Sequence, residues 1–198
     1  MKTLVLASSS PRRKEILERA RIPFIVDVGE YEEDLSLSLS PHELVKHLAL
    51  GKARAVQGRH PNSIIIGADL VVVFNDGIMG KPHTVERAKE MLISLSGKMN
   101  VVVTGYAVLD TTSGKVITKS VDANVYFREM SEREIDGYIA TGEPLDKAGA
   151  YGIQDMGGVF IEKCEGDFSG IVGIPLCSLM QTLKQFGVEP FDQSGAHI

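Results

Sequence analysis

Six consecutive residues near the N-terminus, Ser8-Ser9-Ser10-Pro11-Arg12-Arg13, set three hydroxyls beside two guanidinium groups. They follow a short apolar run and open a helical pattern, with Ser10 as N-cap and Pro11 at the first helical position. Backbone N–H groups, the positive end of the helix dipole and the side chains converge there, which suits a phosphate. The string is not a P-loop, because G-x-x-x-x-G-K-[ST] is absent. A serine cap followed by solvated arginines is the plainer reading of the same residues.

Asp69 stands inside Ile64-Ile65-Ile66-Gly67-Ala68-Asp69-Leu70-Val71-Val72-Val73. A carboxylate in so apolar a strand costs several kcal/mol of desolvation unless it meets a cation, a metal or hydrogen bonds. Gly67 and Ala68 are small enough for a ligand to approach the backbone. A strand-end Asp facing water is the alternative. Glu30, Glu32, Glu33 and Asp34 crowd the loop after the second strand, where a divalent cation bridging to phosphates would relieve their repulsion. For three of these four acids a solvated loop is the preferred reading. Lys52, among alanines in a helix, and Lys81, in the stiff turn Gly80-Lys81-Pro82, are candidate point-charge phosphate ligands, though a lone lysine is usually a surface residue. Gln154 ends a glycine-spaced string, and its amide offers the donor and acceptor that match N3–H and a carbonyl of a uracil or thymine ring. A Gly-rich connector is the bland alternative there.

These residues need elements to position them. Thr3 to Ala7 reads as a buried strand, followed by a helix from Ser10 to about Arg21 and a second strand from Phe24 to Val28. Ser40-Pro41-His42-Glu43 is a capping box that starts a helix running to about Gly58. Ser63 to Phe74 reads as a strand, turned by Asn75-Asp76-Gly77 into a short return at Ile78-Met79. Thr84 caps a helix with Ala88, Met91, Leu92 and Leu95 on one face, closed by Gly97. Strands Val101 to Asp110 and Lys115 to Phe127 follow, then a helix capped by Ser131 and Glu134 and ending near Gly142. A glycine-rich loop from Glu143 to Gly158, a strand from Val159 to Glu165, a hairpin at Gly166-Asp167 and a helix from Pro175 to Phe186 complete the pattern. The alternation predicts an α/β protein, a mixed twisted sheet flanked by helices.

Composition narrows the partners. The 198 residues are 43% hydrophobic with net charge −5, which suits one soluble globular domain across the whole chain and argues against an extended grip on nucleic acid or anionic lipid. The apolar runs are too short and β-branched to span a bilayer as helices. The N-terminal stretch turns polar after Ala7, unlike a signal peptide, so a cytoplasmic address is expected. Cys164 and Cys177 form no C-x-x-C and the five His no H-E-x-x-H, so any metal must take oxygen ligands.

Leu6-Ala7-Ser8-Ser9-Ser10-Pro11-Arg12-Arg13, Gly67-Ala68-Asp69, Gly80-Lys81-Pro82, Leu95-Ser96-Gly97, Asp146-Lys147-Ala148-Gly149-Ala150-Tyr151-Gly152-Ile153-Gln154 and Gly173-Ile174-Pro175 occur in one order and spacing that closely resembles the Maf family of nucleoside triphosphate pyrophosphatases, from Leu4 to about Phe186. The resemblance implies an elongated two-lobed fold akin to the inosine triphosphate pyrophosphatases, a nucleotide in a central cleft, a homodimer, and cytoplasmic house-cleaning of nucleotides. It implies Asp69 as catalytic proton acceptor, and Ser8, Arg12, Arg13, Glu33, Lys52 and Lys81 as phosphate- and metal-site residues. Glu33 and Asp69 would hold Mg²⁺ or Mn²⁺, and Arg12 and Gln154 match specificity positions. The Asp146 to Gln154 string resembles the branch acting on dTTP and UTP rather than the one acting on 7-methyl-GTP. Leu70 departs from it, standing where that branch commonly has Thr, which bears on fine substrate preference. The rival expectations are a non-catalytic nucleotide- or nucleic-acid-binding regulator of septum formation and a pyrophosphatase for modified purine nucleotides.

Overall fold

The computed structural model describes residues 2–189. A mixed sheet carries the chain. Strand β1 (Thr3–Leu6) pairs in parallel with β2 (Ile25–Val26) on one side and β3 (Ser63–Phe74) on the other, and β4 (Gly77–Met79) returns antiparallel on β3. The order continues through β5 (Met99–Asp110), β6 (Val116–Phe127) and β7 (Ile161–Gly166), with β7 antiparallel to β6. Helices α1 (Pro11–Arg19), α2 (Pro41–Gln57), α3 (Val85–Leu95), α4 (Glu132–Ala140), α5 (Phe168–Val172) and α6 (Leu176–Lys184) interrupt the strands, so the predicted mixed α/β class holds. Among the described residues no helix is long and apolar enough to cross a membrane.

The chain forms two compact units, the first comprising the described residues of Met1–Asp69, Thr104–Val121 and Gly173–Ile198, the second Leu70–Val103 and Asp122–Val172. In the first unit the two-residue period of a strand sorts side chains between two cores. Leu4, Leu6, Ile64, Ile66 and Ala68 pack with Leu17 of α1 and Leu179 and Leu183 of α6. The alternate residues Val5, Ala7 and Ile65 pack with Ala53 and Val56 of α2. Extending that parity along β3 assigns Gly67 and Asp69 to the α2 side.

In the second unit the apolar stripe Ala88, Met91, Leu92 and Leu95 of α3 meets Ile135, Tyr138 and Ile139 of α4 over Val72, Val102, Val125 and Phe127. The stripe read from the sequence is therefore the buried one. Both capping boxes form, Ser40 with Glu43 and Ser131 with Glu134.

Three expectations need correction. The second strand is only Ile25–Val26, because it lies at the sheet edge with both side chains exposed. The loop from Glu143 to Gly158 is built of short 3-10 turns at Glu143–Asp146, Ala148–Ala150 and Met156–Phe160, the last of which delays β7 to Ile161. No hairpin forms at Gly166-Asp167. The Asp167 carboxylate instead accepts from the Ser169 hydroxyl at 2.5 Å and the Gly170 N–H at 2.9 Å, and α5 begins there.

Candidate active site

Asp69, 7% exposed, is the buried acid that the strand pattern singles out, and it is met by two cations. Lys52 of α2 donates from Nζ to Asp69 Oδ2 at 3.0 Å and forms an ion pair with Glu33 Oε1 at 2.7 Å. Arg13 of α1 brings Nη2 to 3.6 Å from Asp69 Oδ1. The desolvation of the carboxylate is thereby offset by paired charge rather than by exposure.

Arg13 is held on every side. Its Nη1 donates to Ser8 Oγ at 3.2 Å and its Nε to the Gly173 carbonyl at 3.1 Å, and its own N–H is capped by Ser10 Oγ at 3.4 Å. Gly173 adopts φ +135°, and a Cβ there would lie 3.2 Å from Arg13 Cγ, so glycine is needed to receive the guanidinium. Burial pushes the Arg13 pKa down, while the charges of Asp69 and Glu33 pull it back up. Ser8 Oγ also accepts from the Ser10 N–H at 3.2 Å, which folds the strand-to-helix turn around itself. Arg12 follows the helix cap half-buried, and its charge opposes that of Arg13.

Close approach of α2 to the sheet and loop sets the position of Lys52. A Cβ on Gly67 would lie 2.0 Å from the Ala49 carbonyl oxygen, and one on Gly105 2.6 Å from the Val45 carbonyl carbon. The space beside Gly67 therefore belongs to the backbone of α2, not to a ligand, which corrects the sequence expectation for Gly67 and Ala68; Ala68 itself packs into the opposite core. On its other side α2 carries the acidic loop. A Cβ on Gly29 would lie 2.5 Å from Ala55 Cβ, and one on Gly51 2.2 Å from the Tyr31 ring. Tyr31 thus meets Gly51, and Glu33 reaches the next residue of the helix, Lys52. Glu30, Glu32 and Glu33 are all exposed, and Asp34 accepts from the N–H and hydroxyl of Ser36. Its ion pair with Lys52 is what separates Glu33 from its neighbours.

Tyr31 escaped the sequence reading. Burial, then the charges of Asp69, Glu33 and Asp34, raise its phenol above the ordinary range. The legible signal was Tyr31 two residues before Glu33, with Gly51 immediately before Lys52.

The remaining predicted residues belong to the second unit. Lys81 is exposed on a segment fixed at both ends, where the Gly149 N–H donates to the Gly80 carbonyl and the His83 N–H to the Leu145 carbonyl, each at 3.2 Å. Gln154 is exposed between two of the 3-10 turns. Leu70 is half-buried against the core of that unit.

A family model described as Maf-like protein matches residues 3–186. The chain belongs to the Maf family. Among Maf-family relatives, one named dTTP/UTP pyrophosphatase from Bacillus cytotoxicus is 49% identical over 186 residues, covering 94% of this chain and 96% of the relative. Another of that name from Bacillus cereus is 46% identical over 189 residues, covering 96% of this chain and 98% of the relative. A crystal structure of a nucleoside-triphosphatase, a dITP/XTP pyrophosphatase from Mycobacterium abscessus, aligns with TM-score 0.42 and 16% identity over 65% of this chain and 75% of that chain, a likeness too slight to carry an argument.

Glu33 and Asp69 converge on a single cationic atom, Lys52 Nζ, and both supply hard oxygen donors. Mg²⁺ commonly takes one or two carboxylates and completes its shell with water and phosphate oxygens. Among the described residues no group of three or more His, Cys, Asp or Glu could enclose a metal. These two carboxylates fit a divalent ion that would draw its remaining ligands from elsewhere than the His, Cys, Asp and Glu side chains of the described residues.

Proposed function

We propose that this chain hydrolyses dTTP and UTP between the α and β phosphates, giving the nucleoside monophosphate and pyrophosphate. The observation that carries the reading is the Lys52 ammonium set between Glu33 and Asp69 with Arg13 on the other Asp69 oxygen. In this mechanism water oxygen bonds to the α phosphorus, the bond from that phosphorus to the bridging oxygen breaks, and pyrophosphate departs with the electron pair. Asp69, held by Lys52 on one oxygen and Arg13 on the other, orients the water and takes its proton. Ser8, Arg12, Arg13, Lys52 and Lys81 bind the phosphate oxygens and stabilise the charge that develops on them. Glu33 and Asp69 would hold Mg²⁺ or Mn²⁺, which when bound neutralises the triphosphate and acidifies water. Gln154 pairs with the pyrimidine edge, and Arg12 and Leu70 are further specificity positions. A homodimer and a cytoplasmic address belong to the same reading.

Pyrophosphate release from dTTP and UTP with Mg²⁺, compared between this chain and D69N, is the test. The variant should lose roughly 10²- to 10⁴-fold in turnover, as for removal of a general base. Nucleotide binding with no release by either protein would sink the enzyme reading in favour of a regulator. Strong preference for 7-methyl-GTP or inosine triphosphate across a substrate panel would overturn the base assignment.

A further inference from the structure

Gln154 sits at the tip of a segment whose backbone is tied down on both sides by one pair of side chains. Tyr138 of α4 donates its hydroxyl to Glu143 Oε1 at 2.7 Å, and the Gly157 N–H donates to the same oxygen at 3.2 Å. The Met156 N–H donates to Glu143 Oε2 at 3.1 Å, and the Gly152 N–H donates to the Tyr138 hydroxyl oxygen at 3.3 Å. Backbone amides two residues before Gln154 and two and three residues after it thus end on a single Tyr–Glu pair. Lys147 secures the base of the pair, donating from Nζ to the Glu143 carbonyl at 3.2 Å.

The pair is rigid because it is packed. Tyr138 is 4% exposed in the core of its unit. A Cβ on Gly157 would lie 2.5 Å from the Tyr138 hydroxyl and one on Gly152 2.6 Å from Lys147 Cε, so both glycines permit contact rather than supply a hinge. Three donors converge on Glu143, which suits a carboxylate, an acceptor at both oxygens. A glutamine there would turn an NH₂ toward at least one backbone N–H.

We propose that Tyr138 and Glu143 are positioning residues for base recognition, fixing the backbone on either side of Gln154 so that its amide meets the nucleobase edge at one place and angle. The proposal rests on the reading above in which Gln154 pairs with the pyrimidine. A side chain on a loose tip would still reach the base, but it would pay its ordering entropy on binding and discriminate less well between bases.

The experiment compares the full chain with E143Q, Y138F and Q154A, measuring kcat and KM for UTP and CTP together with hydrogen exchange of the Met156 and Gly157 amides. E143Q should raise KM for UTP more than it lowers kcat, reduce the UTP over CTP preference about tenfold, close to the low end for hydrogen bonds to a charged group, and speed exchange at both amides. Y138F keeps the ring and its packing, should act in the same direction, and decides the matter alone if E143Q does not fold. If Q154A lowers the base preference while E143Q and Y138F leave it at the wild-type value, the positioning role is wrong and the base reading stands. If Q154A leaves the preference unchanged, the base reading fails and the positioning role with it. A loss of kcat shared equally by both nucleotides at an unchanged preference would also overturn the role.

Discussion

Lys52 and Asp69 form an ion pair at 3.0 Å between a helix and a strand, with side chains only 15% and 10% exposed. The ammonium also holds Glu33 at 2.7 Å, so one cation separates two carboxylates. K52M should leave those carboxylates facing each other and cut pyrophosphate release by about 10²-fold, the usual cost of one charge-stabilising donor. Its urea midpoint should fall, and adding E33Q should recover part of that fall, because fewer unpaired charges remain. An E33Q addition that lowers the midpoint further would contradict the pairing.

Arg13 is bound through three nitrogens to a hydroxyl, a carbonyl and a carboxylate. Lysine keeps the charge but cannot make the same fork of contacts. R13K should therefore lose stability, about 3 kcal/mol at most by the standard of broken buried ion pairs. Urea unfolding with unchanged slope measures it, and a midpoint equal to wild type would show that charge alone suffices.

Gly67 sets the distance between β3 and α2, since a Cβ there would lie 2.0 Å from a backbone carbonyl oxygen. G67A should displace α2, costing about 1–3 kcal/mol as overpacking does, and should lower turnover by moving Lys52 away from Asp69. A variant as stable and active as wild type would show that the helix can retreat without consequence.

The Arg128 guanidinium, then the backbone and hydroxyl of Ser131, hold the Glu134 carboxyl at about 2 against an ordinary 4.5. A depressed carboxyl stabilises the fold above its unfolded pKa and loses that contribution as pH falls through its folded one. The melting-temperature difference between wild type and E134Q should thus be full at pH 6 and shrink between about pH 4.5 and 2. A difference independent of pH would remove the carboxylate from the account.

Local rules explain why much of this molecule was legible. Both Ser–Glu capping boxes and the Ser10-Pro11 helix start depend on contacts within a few residues, the α3 stripe on the helical period, and all appear where the sequence puts them. Asp69 stood out because an acid in an apolar strand demands a partner, and Lys52 and Arg13 are among those it has. The failures include Ile25–Val26, shortened by its place at a sheet edge, the stretch before Ile161, folded into 3-10 turns, and Asp167, whose carboxylate caps a helix where a hairpin was expected.

The sequence by itself determined which side chains could do chemistry: a hydroxyl and guanidinium cluster at a helix start, a lone acid among Ile and Val, an acidic loop and isolated lysines. Tertiary structure decided which acid joined them. Glu33 reaches Lys52 because Gly29 and Tyr31 pack on Ala55 and Gly51 and lay the loop against α2. It decided too that the room beside Gly67 was for a helix, bringing Lys52 to Asp69. Composition and spacing can specify charge and local conformation, but the partner of a buried charge depends on backbone elements distant in sequence meeting at van der Waals contact.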